Sequence, residues 1–80
     1  LLLLDEPSMG LAPILVDQIF NVIESVYKKG ITVFLVEQNA KRALEISDKT
    51  LVIDSGKIIK EGESKLIIDD PTVKSAYLGI

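Results

Sequence analysis

Two adjacent carboxylates, Asp5 and Glu6, follow a run of four leucines and precede Pro7. The apolar run predicts a strand buried on both faces of a sheet, and Pro7 prevents a strand or a helix from continuing through this point. Because unpaired carboxylates are costly inside an apolar core, we expect both acids at the carboxyl end of the strand, beside a metal ion or a crevice. The opening residues therefore predict a strand whose carboxyl end places the carboxylates of Asp5 and Glu6 at a functional site.

A second apolar segment, residues 31–36, ends in the polar residues Glu37-Gln38-Asn39. Its β-branched residues predict another central strand, and an amphipathic helix from Ile14 to about Lys29 separates it from the first. A helical crossover of this length joins parallel strands, whose carboxyl ends meet at one edge of the sheet. Asp5, Glu6 and Gln38 are therefore expected to converge on one crevice.

The rest of the chain predicts an antiparallel hairpin and short helices, which together with the parallel strands make an α/β fold. We expect Gly62 to break the second hairpin strand, Ser64 to cap a short helix through Ile68, and Asp70 to cap the last helix. The inward-facing residues of the long helix are predicted to be Leu15, Ile19, Val22, Ile23 and Val26. The predicted segments are helix Ala40–Ile46, strands Thr50–Ile53 and Lys57–Lys60 around the turn Asp54-Ser55-Gly56, and helix Pro71–Leu78.

The paired acids suit phosphoryl transfer to water, in which an enzyme positions a nucleotide, its Mg²⁺ and the attacking water. Asp5 is suited to hold the hard cation, and Glu6 to orient and deprotonate the water. A strand end with two solvated acids is the alternative, and the pair by itself leaves both open. Glu37 and Asn39 are interpreted as a loop acid and a helix cap, not as site residues.

Composition narrows the classes of protein. Eighty residues with 48% hydrophobic and 5% aromatic content suit part of a larger parallel α/β core better than an independent module. The absence of cysteine excludes disulfides and thiolate metal sites. The net charge of −3 argues against binding to nucleic acid, which is itself negatively charged. No apolar run approaches the length needed to insert into a membrane.

Three segments, taken in order, resemble one family of ATPases. Their order and spacing are similar to those of the nucleotide-binding subunits of ABC transporters, and more narrowly to an ATP-binding subunit of the bacterial branched-chain amino acid importers. The resemblance covers the whole chain and identifies residues 1–80 as the carboxyl-terminal part of a P-loop NTPase (ABC ATPase) domain. The segments are Asp5-Glu6-Pro7-Ser8-Met9-Gly10-Leu11-Ala12-Pro13, Phe34-Leu35-Val36-Glu37-Gln38-Asn39-Ala40 and Ser75-Ala76-Tyr77-Leu78-Gly79.

The resemblance implies that Asp5 binds Mg²⁺, that Glu6 is the catalytic base and that Gln38 occupies the switch position near the γ-phosphate. Residues 9–12 would form the D-loop, which crosses to the partner subunit. Two positions depart from the family pattern, since most members carry histidine in place of Gln38 and aspartate in place of Ala12. A glutamine amide can donate a hydrogen bond to phosphate or water, but it cannot relay a proton as imidazole does.

The implied function is that of an ATP-hydrolysing motor subunit that powers solute import, with branched-chain amino acids as the implied solutes. Its implied partners are a second ATP-binding subunit and membrane permease subunits, at the cytoplasmic face of the membrane. The 80 residues alone are expected to be inactive, because their only Gly-Lys pair, Gly56-Lys57, lacks the other residues of a phosphate-binding loop. The alternative is a non-hydrolysing interaction module or a degenerate P-loop ATPase paralogue.

Overall fold

The computed structural model of the protein describes residues 1–79 and contains two compact units, Leu1–Asn39 and Ala40–Ile80. The predicted α/β order is confirmed, with two parallel strands around a helix, then an antiparallel hairpin and short helices. The assignment of residues 1–80 to part of one ATPase domain stays a prediction.

The first unit consists of strand β1 (Leu2–Asp5), helix α1 (Pro13–Lys28) and strand β2 (Val33–Val36). The strands pair in parallel with Leu2 opposite Val33 and Asp5 opposite Val36, as the helical crossover predicts. Pro13 takes the first helical position, and α1 closes at Gly30, whose N–H donates to the Tyr27 carbonyl at 3.0 Å. The φ of +91° at Gly30 explains why a residue without a side chain stands there.

The buried stripe of α1 differs from the predicted one. Phe20 is fully buried and Ile23 nearly so, whereas Leu15 and Val22 are exposed. The predicted face was therefore rotated, and it omitted Phe20, the largest buried side chain of this unit. The half-buried side chains of the two strands lie together on one face of the β1–β2 pair; they are Leu2, Leu4, Val33 and Leu35.

The prediction that β1 is buried on both faces is wrong for the described chain. The opposite face of the β1–β2 pair carries Leu3, 67% exposed, directly opposite Phe34, 55% exposed, with Val36 beside them. We call this surface, formed by Leu3, Phe34 and Val36, the open sheet face. The apolar side chains of β1 favour burial, but nothing within Leu1–Asn39 covers this side of the strand.

The second unit runs from helix α2 through a hairpin into short helices. Its core contains the buried residues Leu44, Ile67 and Val73, with Val52, Ile68 and Leu78 packed against them. Helix α2 has the predicted bounds, and the last two segments together cover the predicted final helix. The elements are α2 (Ala40–Ile46), β3 (Lys49–Asp54), β4 (Lys57–Glu63), α3 (Ser64–Ile67), α4 (Pro71–Val73) and a π-helical segment (Lys74–Leu78).

Two local predictions for this unit are wrong. Gly62 does not break β4 but pairs with Thr50 inside it, at a φ of +149° that residues with side chains rarely adopt. Ser64 does not cap α3 but begins it. Its buried hydroxyl instead hydrogen-bonds to Thr50 Oγ1 at 2.5 Å and Ser47 Oγ at 2.7 Å, so tertiary partners replace the capping bond.

Asp70 caps α4 as predicted. One carboxylate oxygen accepts from the N–H groups of Thr72 at 2.9 Å and Val73 at 3.1 Å, and the other pairs with Lys60 Nζ at 3.0 Å. The hydrogen bond from Lys60, followed by that from Val73, lowers the pKa of Asp70 below its ordinary value of 3.8. The ionised form therefore stabilises the fold.

We expect Asp70→Asn to lower the thermal unfolding temperature at neutral pH but not in strong acid. A lowered folded-state pKa contributes stability above pH 3.8 that is lost as the pH falls through the folded value. Circular dichroism melts across this range should therefore converge for the two proteins. Asp69→Asn is the control, since Asp69 is largely exposed and lies 3.8 Å from Lys74; a gap that persists in acid would contradict the prediction.

Among residues 1–79, no helix combines the length and hydropathy required to cross a lipid bilayer.

Candidate functional site

The two predicted acids lie at the tip of β1. Asp5 is the last residue of the strand, opposite Val36, and its side chain is exposed. The N–H of Glu6 donates to the Val36 carbonyl at 2.6 Å, which extends the ladder by one bond. Glu6 is therefore anchored to β2 through its backbone while its carboxylate, which is half-buried, leaves the strand tip.

The backbone at Glu6 is strained. Its φ is +50°, a left-handed conformation that costs a non-glycine residue about 1 to 2 kcal/mol. The following Pro7 disfavours the right-handed helical conformation at Glu6, and a turn closes behind it through Met9 N–H to the Glu6 carbonyl at 3.2 Å. Backbone strain of this kind is concentrated at functional sites, where it holds a side chain in a position that an unstrained backbone would not give it.

Gln38 emerges from the same edge of the sheet as the acids. It lies two residues beyond the last residue of β2, and it is exposed. Because β1 and β2 are parallel and Glu6 is bonded to Val36, the segments carrying Glu6 and Gln38 are neighbours. The segments that carry Asp5, Glu6 and Gln38 therefore end at one edge of the strand pair, whereas a crevice shared by their side chains stays a prediction.

Glu37 was interpreted from the sequence as a loop acid, but its carboxylate joins both segments of the site. Oε2 accepts from the N–H of Ser8 at 3.3 Å, and Oε1 accepts from the N–H groups of Gln38 at 3.1 Å and Asn39 at 3.3 Å. Ser8 and Glu37 are 29 residues apart in the sequence, so no local sequence pattern predicts the hydrogen bond between them. The one available signal was a carboxylate at the end of a second parallel strand.

The segment after Glu6 presents apolar surface. Ser8 is 7% exposed, and its carbonyl accepts from the N–H of Leu11 at 3.2 Å. Met9 and Leu11 are exposed within this turn. Their exposure is compatible with the contact to a second subunit that the resemblance implies, because exposed apolar loop residues favour burial against a partner.

The donor set suits magnesium better than a metal held by protein alone. In residues 1–79, no three His, Cys, Asp or Glu side chains converge on a point, and no hydrogen bond or ion pair engages the Asp5 carboxylate. Mg²⁺ takes one or two carboxylates and completes its octahedron with water and substrate phosphates. The exposed Asp5 carboxylate at the sheet edge fits that requirement.

The chain's Gly-Lys pair is not a phosphate-binding loop. Gly56 lies in the turn of the β3–β4 hairpin. Lys57 is the first residue of β4 and pairs with Asp54. A phosphate-binding loop leads from a parallel strand into a helix. The hairpin therefore does not supply this part of a nucleotide site.

Comparison with known proteins places these features in a family. No protein-family model matches the chain. BraG of Pseudomonas aeruginosa, a high-affinity branched-chain amino acid transport ATP-binding protein, is 51% identical over 99% of this chain and 34% of its own length. LptB of Acidithiobacillus ferridurans, a lipopolysaccharide export system ATP-binding protein, is 36% identical over 98% of this chain and 32% of its own.

A solved structure shows the same fold. The ADP conformation of MJ1267, an ATP-binding cassette of an ABC transporter, aligns with a TM-score of 0.71 and 36% identity over 98% of this chain and 32% of that chain. The chain thus spans about a third of the length of the relatives it matches, and in BraG this is the carboxyl-terminal part. Likeness over nearly every residue, well beyond the acid pair, shows that the chain belongs to the family of ABC transporter ATP-binding proteins.

Proposed function

We propose that the full-length protein hydrolyses ATP to drive a solute through an ABC transporter. The observation that carries this proposal is that the segments carrying Asp5, Glu6 and Gln38 end at one edge of a parallel strand pair. Parallel sheets bind ligands at this edge, where strand ends aim side chains into a crevice. The chain's likeness to ATP-binding proteins supplies the class of ligand.

Asp5 would hold Mg²⁺, directly or through a bound water, because its carboxylate is exposed and engages no other described residue. The bound ion neutralises charge on the transferring phosphoryl group. Asp5 thus serves binding and does not itself exchange a proton.

Glu6 would accept the proton of the attacking water. The water oxygen bonds to the γ-phosphorus, the bond from that phosphorus to the bridging oxygen breaks, and ADP leaves with the electron pair. The strained backbone of Glu6 keeps its carboxylate at the strand tip. The amide of Gln38 would donate a hydrogen bond to the γ-phosphate or hold the water, a role that requires no charge.

Branched-chain amino acids are the solute class that we propose, on the basis of one relative, BraG. The relative with this substrate in its name is 51% identical, against 36% for the lipopolysaccharide exporter component. The proposed partners are a second ATP-binding subunit, which the exposed turn of Met9 and Leu11 would contact, and membrane permease subunits. The protein would accordingly lie peripherally at the cytoplasmic face of the membrane.

Steady-state ATP hydrolysis by the full-length protein, with and without its permease partners, tests the proposal. Turnover that requires Mg²⁺ and is stimulated by the permease supports it. Absence of turnover with intact partners would instead favour a non-hydrolysing interaction module.

Asp5→Asn tests the metal role separately. We expect Mg²⁺-dependent ATP affinity to fall by about 10- to 100-fold, because a charged ligand to the ion is lost. Isothermal titration of ATP with Mg²⁺ and with chelator measures this effect. The chelated samples are the matched control, and equal affinities of the two proteins in Mg²⁺ would exclude Asp5 as the ligand.

A further inference from the structure

Glu37 connects two segments that carry different parts of the proposed site. One carboxylate oxygen accepts from Ser8, two residues after Glu6, and the other accepts from Gln38 itself and from Asn39. A carboxylate with two acceptor oxygens can serve both sides at once. Together with the bond from Glu6 N–H to Val36, this contact makes a second link between the segments, beyond the ends of the strands.

The contact to Ser8 matters because of where its donor lies. Ser8 is 7% exposed, and a buried backbone N–H left without a partner loses free energy comparable to a hydrogen bond. The Glu37 carboxylate is therefore suited to fix the path of the segment that follows Glu6.

The contacts to Gln38 and Asn39 are not an ordinary helix cap. Helix α2 begins at Ala40, so both donors lie before its first residue. The carboxylate instead holds the turn between β2 and α2, the turn from which the Gln38 side chain departs. Removing it would release Gln38 without unfolding the helix.

We propose that Glu37 is a positioning residue that holds the Glu6 segment and the Gln38 segment in register for ATP hydrolysis. This inference rests on the proposed ATPase function. Glu37 does not touch the reacting atoms; it sets the separation of the groups that do. Misplacement of a reacting group by about 1 Å can cost roughly 100-fold in rate, so a loosened link lowers turnover.

Two conservative variants of the full-length protein disturb this contact in different ways. Glu37→Asp keeps the charge and the local acceptors for Gln38 and Asn39 but shortens the reach toward Ser8 by about 1.5 Å. Glu37→Gln keeps the length but replaces one acceptor oxygen by an NH₂ donor, which cannot accept from an N–H. Glu45→Gln is the matched control, because Glu45 is exposed on α2.

Hydrolysis of Mg-ATP is measured for each variant with the thermal unfolding temperature and the exchange rate of the Ser8 amide. We expect kcat to fall about 10- to 100-fold in both Glu37 variants, with KM for ATP within about twofold and no change in Glu45→Gln. Ser8 amide exchange should accelerate in both Glu37 variants while the unfolding temperature is maintained.

The outcomes distinguish this inference from the function on which it rests. If the native full-length protein hydrolyses ATP and both Glu37 variants have native kcat, the positioning role is wrong and the proposed function stands. A loss of kcat that only accompanies a lower unfolding temperature, with Ser8 exchange unchanged, also overturns it. If the native protein has no turnover, the proposed function fails first, and Ser8 exchange alone then decides whether Glu37 links the segments.

Discussion

Replacing Glu6 by glutamine in the full-length protein is expected to lower steady-state ATP hydrolysis by about 10²- to 10⁴-fold, the usual contribution of a general base. Binding of Mg-ATP should persist, because the substitution removes a proton acceptor and leaves Asp5 in place. The variant should therefore accumulate ATP-bound protein. The expected effect is large because the other carboxylates near this strand tip have separate proposed tasks: Asp5 would hold the ion, and Glu37 accepts backbone hydrogen bonds from both segments of the site.

Retention of radiolabelled ATP on the purified protein, with single-turnover hydrolysis, measures both parts of this result. Glu61→Gln is the matched control, since Glu61 is an exposed residue of β4 in the other compact unit. Undiminished hydrolysis by Glu6→Gln would remove Glu6 from the role of base. Loss of ATP binding together with turnover would indicate that Glu6 serves the metal or the fold.

The backbone at Glu6 explains why the neighbouring Asp5 is not expected to replace Glu6 as the base. Glu6 has a left-handed backbone conformation. Its N–H is hydrogen-bonded to Val36, so its backbone position is fixed by both strands. Asp5 is the last residue of β1 and is exposed, whereas Glu6 lies beyond the strand and is half-buried. The two adjacent acids therefore have different environments, which is consistent with different roles for Asp5 and Glu6.

Local signals in the sequence predicted most elements of the fold. The bounds of α2 and the Asp70 cap each depend on residues within one helical turn of the feature. The parallel pairing of β1 and β2 followed from the length of the crossover between them. These features required no knowledge of distant contacts.

The errors arose where distant residues decide the outcome. Gly62 continues β4 because its pairing with Thr50 outweighs the local tendency of glycine to end a strand. Ser64 bonds to hydroxyls 14 and 17 residues away instead of capping its own helix. Glu37 was likewise missed as a member of the site because its partner Ser8 lies across the sheet edge.

The open sheet face leads to a prediction for the 80-residue chain produced alone. Leu3 and Phe34 are more than half exposed and directly opposite each other, and two-stranded sheets are marginally stable without further packing. Contiguous apolar surface of this kind favours association, and full burial is worth roughly 1.5 to 3 kcal/mol for each large side chain. We expect this chain to sediment as a mixture of oligomers.

Glutamine substitutions at Leu3 and Phe34 together should shift that mixture toward monomer, by about 10-fold or more in association constant. The control pair is Ile14→Gln with Val22→Gln, which are exposed two turns apart on α1 and do not pair across strands, so they should change association less. Sedimentation velocity, with circular dichroism to verify folding, compares the two. A monodisperse native chain, or equal effects of the two pairs, would contradict the role of the open sheet face.

The same substitutions should act in the opposite direction in the full-length protein. Relatives of this chain are about three times its length, so they have further residues with which to cover an apolar sheet face. If the full-length protein covers it, glutamine at Leu3 and Phe34 buries two unpaired amides and lowers the unfolding temperature. Improved solubility of the short chain together with lost stability of the long one would therefore identify the open sheet face as core.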